Sequence, residues 1–184
     1  MELILITDEV FRKDEAKLID QLFEDGLALL HLRKPKAQLS EMRSLLNEIS
    51  SEWHSRIVVH RLDELVKEFD LSHAHGQNVS RSCHSFEEVN QAESQGDKYA
   101  FLSPIFDSIS KRGYKAAFDS NQLKSFLDHQ ISLKVFALGG ISLDKLEQCK
   151  DLGFDGVAVL GAVWKSNDPL KAFSEIKNRC QQIG

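Results

Sequence analysis

The chain has 184 residues, 42% apolar and 28% charged, with 23 Lys and Arg against 28 Asp and Glu and a net charge of −5. That length suits one good core and is short for two, so residues 1–184 are expected to form a single domain. The acidic balance argues against nucleic acid as a partner, and no apolar run approaches the roughly 18 residues of a membrane span, so no membrane partner is expected and a cytoplasmic location is.

From the N-terminus, short apolar runs recur at Leu3–Thr7, Ala28–Leu32, Arg56–His60, Tyr99–Leu102, Leu133–Leu138 and Gly156–Leu160. Each is strand-sized and apolar on both faces, the pattern of a buried parallel sheet. Helical patterns lie between them. Leu39, Met42, Leu45, Leu46 and Ile49 share one helix face, and Leu143, Leu146, Cys149 and Leu152 share another. Ser85 with Glu88 predicts a capped helix start and Gly96 its end, Asp168-Pro169 predicts another start, and Ser142 can cap the helix that stops near Gly153. Strands alternating with helices imply βαβ units.

One stretch breaks the rhythm. Leu71–His75 and Val79–Cys83 both look like strands, yet only Gly76, Gln77 and Asn78 separate them. Parallel neighbours need a crossover of about a dozen residues. Either one run is not a strand, or the pair forms an antiparallel hairpin, or a segment is lacking between them. Cys83, Cys149 and Cys180 are widely spaced without a CxxC pair, which fits reduced thiols rather than a disulfide framework or a structural zinc site. His73 and His75 would share a face on a strand; a hydrogen-bonded or solvated pair is favoured over a metal pair.

Four segments carry chemistry. His31-Leu32-Arg33-Lys34-Pro35-Lys36 follows a strand with cations suited to phosphate, and alternation puts His31 and Arg33 on one face. Ser103–Gly113 combines hydroxyls, including Ser108 and Ser110, with Lys111. Ala137-Leu138-Gly139-Gly140-Ile141-Ser142 ends a strand in two glycines and opens a helix, as an anion seat requires. Gly156–Val163 is a second buried strand ending in small residues, with Leu160 and Gly161 at its end. In (β/α)8 barrels the loops after the seventh and eighth strands frequently hold one phosphate.

Together these segments resemble the thiamine phosphate synthase and thiazole tautomerase superfamily, from about Leu3 to Trp164. The resemblance is most specific in Ser82-Cys83-His84-Ser85 with Glu87-Glu88, in Pro104-Ile105-Phe106 through Lys111, and in Gly139-Gly140-Ile141. It implies a compact (β/α)8 TIM barrel, with incompleteness around strand 4 as the alternative. It also implies a transferase of thiamine biosynthesis that joins a hydroxymethylpyrimidine pyrophosphate to a thiazole phosphate and releases pyrophosphate. The alternatives are a thiazole phosphate tautomerase and a phosphate-binding barrel without catalysis. The family's Q-x-R-x-K pattern falls on His31, Arg33 and Pro35, flanked by Lys34 and Lys36. Its S-x-H-S and P-I-F-x-T-x-T-K segments fall on Ser82, His84 and Ser85 and on Pro104 to Lys111, with Ser108 and Ser110 for the two Thr; these imply a pyrophosphate site. Gly139, Gly140, Ile141, Leu160 and Gly161 imply the thiazole phosphate site. Arg33, Lys111 and His31 are the implied catalytic residues.

The chain departs from the family at the metal. Magnesium is expected from the resemblance, but Val59 and His60 stand where the synthase carries Asn-Asp, and the second acidic ligand belongs in the abbreviated stretch, where Asn78 is a poor replacement. The metal ligands are therefore unassigned. The tautomerase's His is replaced by Ser103. Small phosphorylated heterocycles are the expected partners, with a homodimer left open.

Overall fold

The structure is a computed structural model that describes residues 1–73, 79–107, 116–129 and 131–184. The chain alternates β1 (Glu2–Ile6), α1 (Glu15–Glu24), β2 (Leu29–Leu32), α2 (Leu39–Glu48), β3 (Ile57–Val59), α3 (Asp63–Phe69), β4 (Ser72–His73), β5 (Ser80–Cys83), α4 (Phe86–Ser94) and β6 (Tyr99–Leu102). It continues through α5 (Ser120–Leu127), β7 (Lys134–Leu138), α6 (Leu146–Leu152), β8 (Gly156–Val159), α7 (Gly161–Trp164) and α8 (Pro169–Ile183). The eight strands form one sheet in the order β4-β3-β2-β1-β8-β7-β6-β5, and every pairing is parallel.

That sheet is curled. His31 on β2 and Tyr99 on β6 are four strands apart, roughly 19 Å along a flat sheet. Yet His31 Nε2 lies 2.6 Å from the Tyr99 hydroxyl. Alternation along each strand serves the two sides of the curl. Leu5, Leu30, Leu32, Ala100, Leu102, Val135, Ala137, Val157 and Val159 face out into a core shared with the helices. Ile4, Ile6, Tyr99, Phe101, Phe136 and Ala158 pack together inside.

Both halves of the abbreviated stretch are strands, although β4 is only two residues long. β4 runs parallel to β3 and β5 parallel to β6, so the two flank the same all-parallel sheet and the hairpin alternative is excluded. No pairing joins β4 to β5 among the described residues. The crossing itself, with His75, Gly76, Gln77 and Asn78, lies outside the described residues, as does the question of chain lacking there.

The helix signals hold with one correction. Asp168 caps α8 through Lys171 N at 3.0 Å, and Ser85 caps α4 through Glu88 N at 3.2 Å. The reciprocal bond of the box comes from His84 N to Glu88 Oε2 at 2.6 Å. Ser142 does not cap: its hydroxyl donates to Asp144 at 2.5 Å, a 3-10 turn covers Leu143–Lys145, and Leu143 is exposed instead of core. All three cysteines are free and buried.

Candidate active site

A cavity of about 650 Å³ opens where the ends of β1, β2, β5, β6, β7 and β8 converge. These are the C-terminal ends of parallel strands, where βα loops gather. One part of its rim comes from backbone: Leu138 to Ile141 after β7, and Leu160 and Gly161 after β8. Gly139 and Gly140 have φ of +93° and +67°, the left-handed region that favours glycine. A Cβ on Gly140 would lie 2.3 Å from the Asp107 carbonyl oxygen and 2.8 Å from the Phe106 carbonyl carbon. The chain from Pro104 to Asp107 is laid directly on the glycines, and Ile105 N and Phe106 N donate to the Leu138 and Gly139 carbonyls at 3.0 and 3.1 Å.

The adjoining part of the rim, after β1 and β2, is charged. Thr7, fully buried, joins the loops after β1 and β2: Arg33 N donates to its hydroxyl at 2.9 Å and Thr7 N donates to the His31 carbonyl at 3.0 Å. This brings Asp8, Glu9 and Val10 to the cavity beside Arg33. Arg33 Nη1 pairs with Glu9 at 2.8 Å, both side chains about 40% exposed. Arg12 Nη2 pairs with Asp8 at 2.7 Å. Burial pushes the Asp8 carboxyl up, but the Arg12 hydrogen bond, the Glu9 N–H and the charges of Arg12 and Lys34 outweigh it and hold Asp8 below its ordinary value.

Of the residues expected in the site, Arg33, Ser82, Gly139, Gly140, Leu160 and Gly161 line this one cavity. Ser108, Ser110 and Lys111 lie outside the described residues. Lys36 is exposed and does not line the cavity. Lys34 is turned away from it because Glu15 holds it: Nζ lies 2.6 Å from Glu15 Oε1 and 2.7 Å from the Val10 carbonyl, with both side chains essentially inaccessible. Burial lowers the Lys34 ammonium's pKa, and the bond to Glu15 opposes that shift.

His31 does not line the cavity either. It sits fully buried inside the curl, Nδ1 2.9 Å from His60 Nε2 and Nε2 2.6 Å from Tyr99. Burial pushes the Tyr99 phenol up to about 12, and Ser80 bonds to its oxygen. Tyr99 therefore keeps its proton, and the His31 tautomer sets the direction of the bonds to Tyr99 and His60. Asp8, Glu9, His84 and Lys165 also line the cavity. Asp8 and Glu9 were missed although the rule applied to the loop after β2 applies equally to the loop after β1.

Magnesium takes oxygen ligands, carboxylates first. The cavity's two β1 carboxylates are both bonded to arginines, and Val59 and His60 at the end of β3 face the outer core and His31. Among the described residues no three His, Cys, Asp or Glu side chains gather to hold a metal ion. The described residues do not fit the ion.

The profile of the family described as thiamine monophosphate synthase matches residues 59–163, more than half of the chain. The chain belongs to this family. A thiamine phosphate pyrophosphorylase structure from Bacteroides thetaiotaomicron is 33% identical, with a TM-score of 0.84 over 98% of each chain. The thiamine-phosphate synthase of Desulfitobacterium hafniense (strain Y51) is 28% identical over 92% of each chain, and that of Pyrococcus abyssi is 26% identical over 100% of this chain and 96% of its own. A Pyrococcus furiosus thiamine phosphate pyrophosphorylase, 20% identical with a TM-score of 0.82, shares the fold. Among the described residues no helix is long and apolar enough to cross a membrane.

Proposed function

We propose that this member of the family is a thiamine phosphate synthase-type transferase, which joins a hydroxymethylpyrimidine pyrophosphate to a thiazole phosphate and releases pyrophosphate. The observation that carries the reading is the meeting of Gly139, Gly140, Leu160 and Gly161 with Arg33 and Ser82 around one cavity at the strand ends. The glycine loops are the seat of the thiazole phosphate, and Arg33 and Ser82 face the pyrophosphate. The C–O bond to the pyrimidine methylene breaks, its electron pair leaves with pyrophosphate, and the thiazole nitrogen attacks the carbocation. Arg33 stabilises the charge that develops on the leaving group. Lys111, Ser108 and Ser110 are assigned to the same pyrophosphate, and no step is routed through magnesium. His31 acts from beneath the cavity, as a residue that positions its floor.

The same reading takes the sheet as a closed (β/α)8 barrel of one domain, acting in the cytoplasm as a monomer or homodimer. The lack of an acidic cluster among the described residues favours one second reading, a metal-free phosphate-binding or isomerising barrel. A two-substrate assay with and without magnesium decides. Formation of thiamine phosphate and pyrophosphate supports the transferase, and tight phosphate-ligand binding with no condensation overturns it.

A further inference from the structure

His84 follows β5 and lines the cavity, with its ring anchored at one edge. Nδ1 lies 2.9 Å from the Ser103 carbonyl oxygen and 3.4 Å from the Ser103 hydroxyl. A carbonyl oxygen only accepts, and a bare nitrogen lone pair held 2.9 Å from it would be repelled, so Nδ1 carries the proton. The neutral ring then has a lone pair at Nε2, the opposite edge, which has no hydrogen-bond partner among the described residues. A lone pair cannot bind a phosphate oxygen. Only the imidazolium has an N–H at both edges.

Resting on the reading that this cavity takes a phosphorylated ligand, we propose that His84 is a phosphate ligand that works only as the imidazolium, so that anion binding takes up a proton. The charged groups around it are mixed. Glu88 on α4 accepts from the His84 backbone N–H at 2.6 Å, and the carboxylates of Asp8 and Glu9 on the β1 loop line the same cavity. The cations Arg33 and Lys165 line it too, Arg33 with its charge paired with Glu9. An arriving dianion tips that balance toward the charged ring. The charged ring adds a donor on the β5 side of the cavity.

The test uses the full chain and inorganic sulfate, a dianion whose own charge stays constant from pH 5 to 9, followed by nuclear magnetic resonance of the His ring protons. Pyrophosphate is a second arm. The His84 titration midpoint moves up when sulfate is added, and sulfate affinity falls by about tenfold per pH unit above that midpoint. In His84→Gln the amide nitrogen replaces Nε2 as a permanent donor, so binding persists and its His84-linked pH slope disappears. In His84→Asn the donor reaches only the Nδ1 position, and binding weakens at every pH. An unmoved midpoint at saturating sulfate, an unchanged slope in His84→Gln, or no binding of either anion overturns the proposal. A failed two-substrate assay with these anion effects intact strikes the transferase reading and leaves His84 standing.

Discussion

The two sides of the cavity rim are built by different physics. After β7 and β8 the rim is backbone, held by φ angles and by the close lay of Pro104 to Asp107 on two glycines. After β1 and β2 it is side-chain charge, each cation tied to a carboxylate: Arg33 to Glu9, Arg12 to Asp8, Lys34 to Glu15. A backbone seat of the proposed kind would need no change of partner to take an anion. A paired cation must exchange its carboxylate for the incoming anion, so its contribution to binding is a difference between two interactions.

The contrast can be broken most severely at Lys34. Lys34→Met leaves Glu15 charged and buried without its partner, and thermal or urea unfolding should show a loss of about 3–5 kcal/mol. Survival of full stability would mean that the charged side is not structurally dependent on its pairs. Arg33→Ala should weaken pyrophosphate by about 2–4 kcal/mol in calorimetry while the fold stays intact, since Arg33 is half-exposed. On the backbone side, Gly140→Ala meets both a positive φ and the Asp107 carbonyl, and should lose about 1–3 kcal/mol of stability together with phosphate binding.

Acid should separate the two sides without mutation. The Asp8 carboxyl is held below its ordinary value of 3.8, so its contribution is present above that value and is lost as pH falls through the lower folded-state value. Asp8→Asn should therefore cost about 1 kcal/mol at neutral pH, and the gap between the two melting curves should close in strong acid. The smallest effect is the most diagnostic. Glu9→Gln removes the internal anion on Arg33, and sulfate or pyrophosphate affinity should rise by a few tenths to about 1 kcal/mol. A fall would mean that Glu9 orients Arg33 rather than competing for it.

The backbone side was legible in the sequence because its signal is local. Two consecutive glycines between an apolar strand and a helix leave few readings, and the strand runs were visible because residues such as Ala100, Val135 and Val157 face an outer core while their neighbours face an inner one. The charged side was legible only in composition. Lys34 looked like a phosphate ligand, and nothing near it in sequence names Glu15, 19 residues away, as its partner. His31 was placed on the correct face by alternation, but its partners His60 and Tyr99 lie 29 and 68 residues on, and only the curl of the sheet brings them together.

That interior chain of Tyr99, His31 and His60 also fixes a dimension. It ties β6 to β2 and β3 straight across the curl, so a transverse brace adds to the hoop of strand pairing in setting the width of the cavity floor. A hoop broken at one point normally springs open. A braced one resists that, so separation at the β4 side would cost a two-residue ladder while the brace still spans the floor beneath Arg33 and the glycine loops.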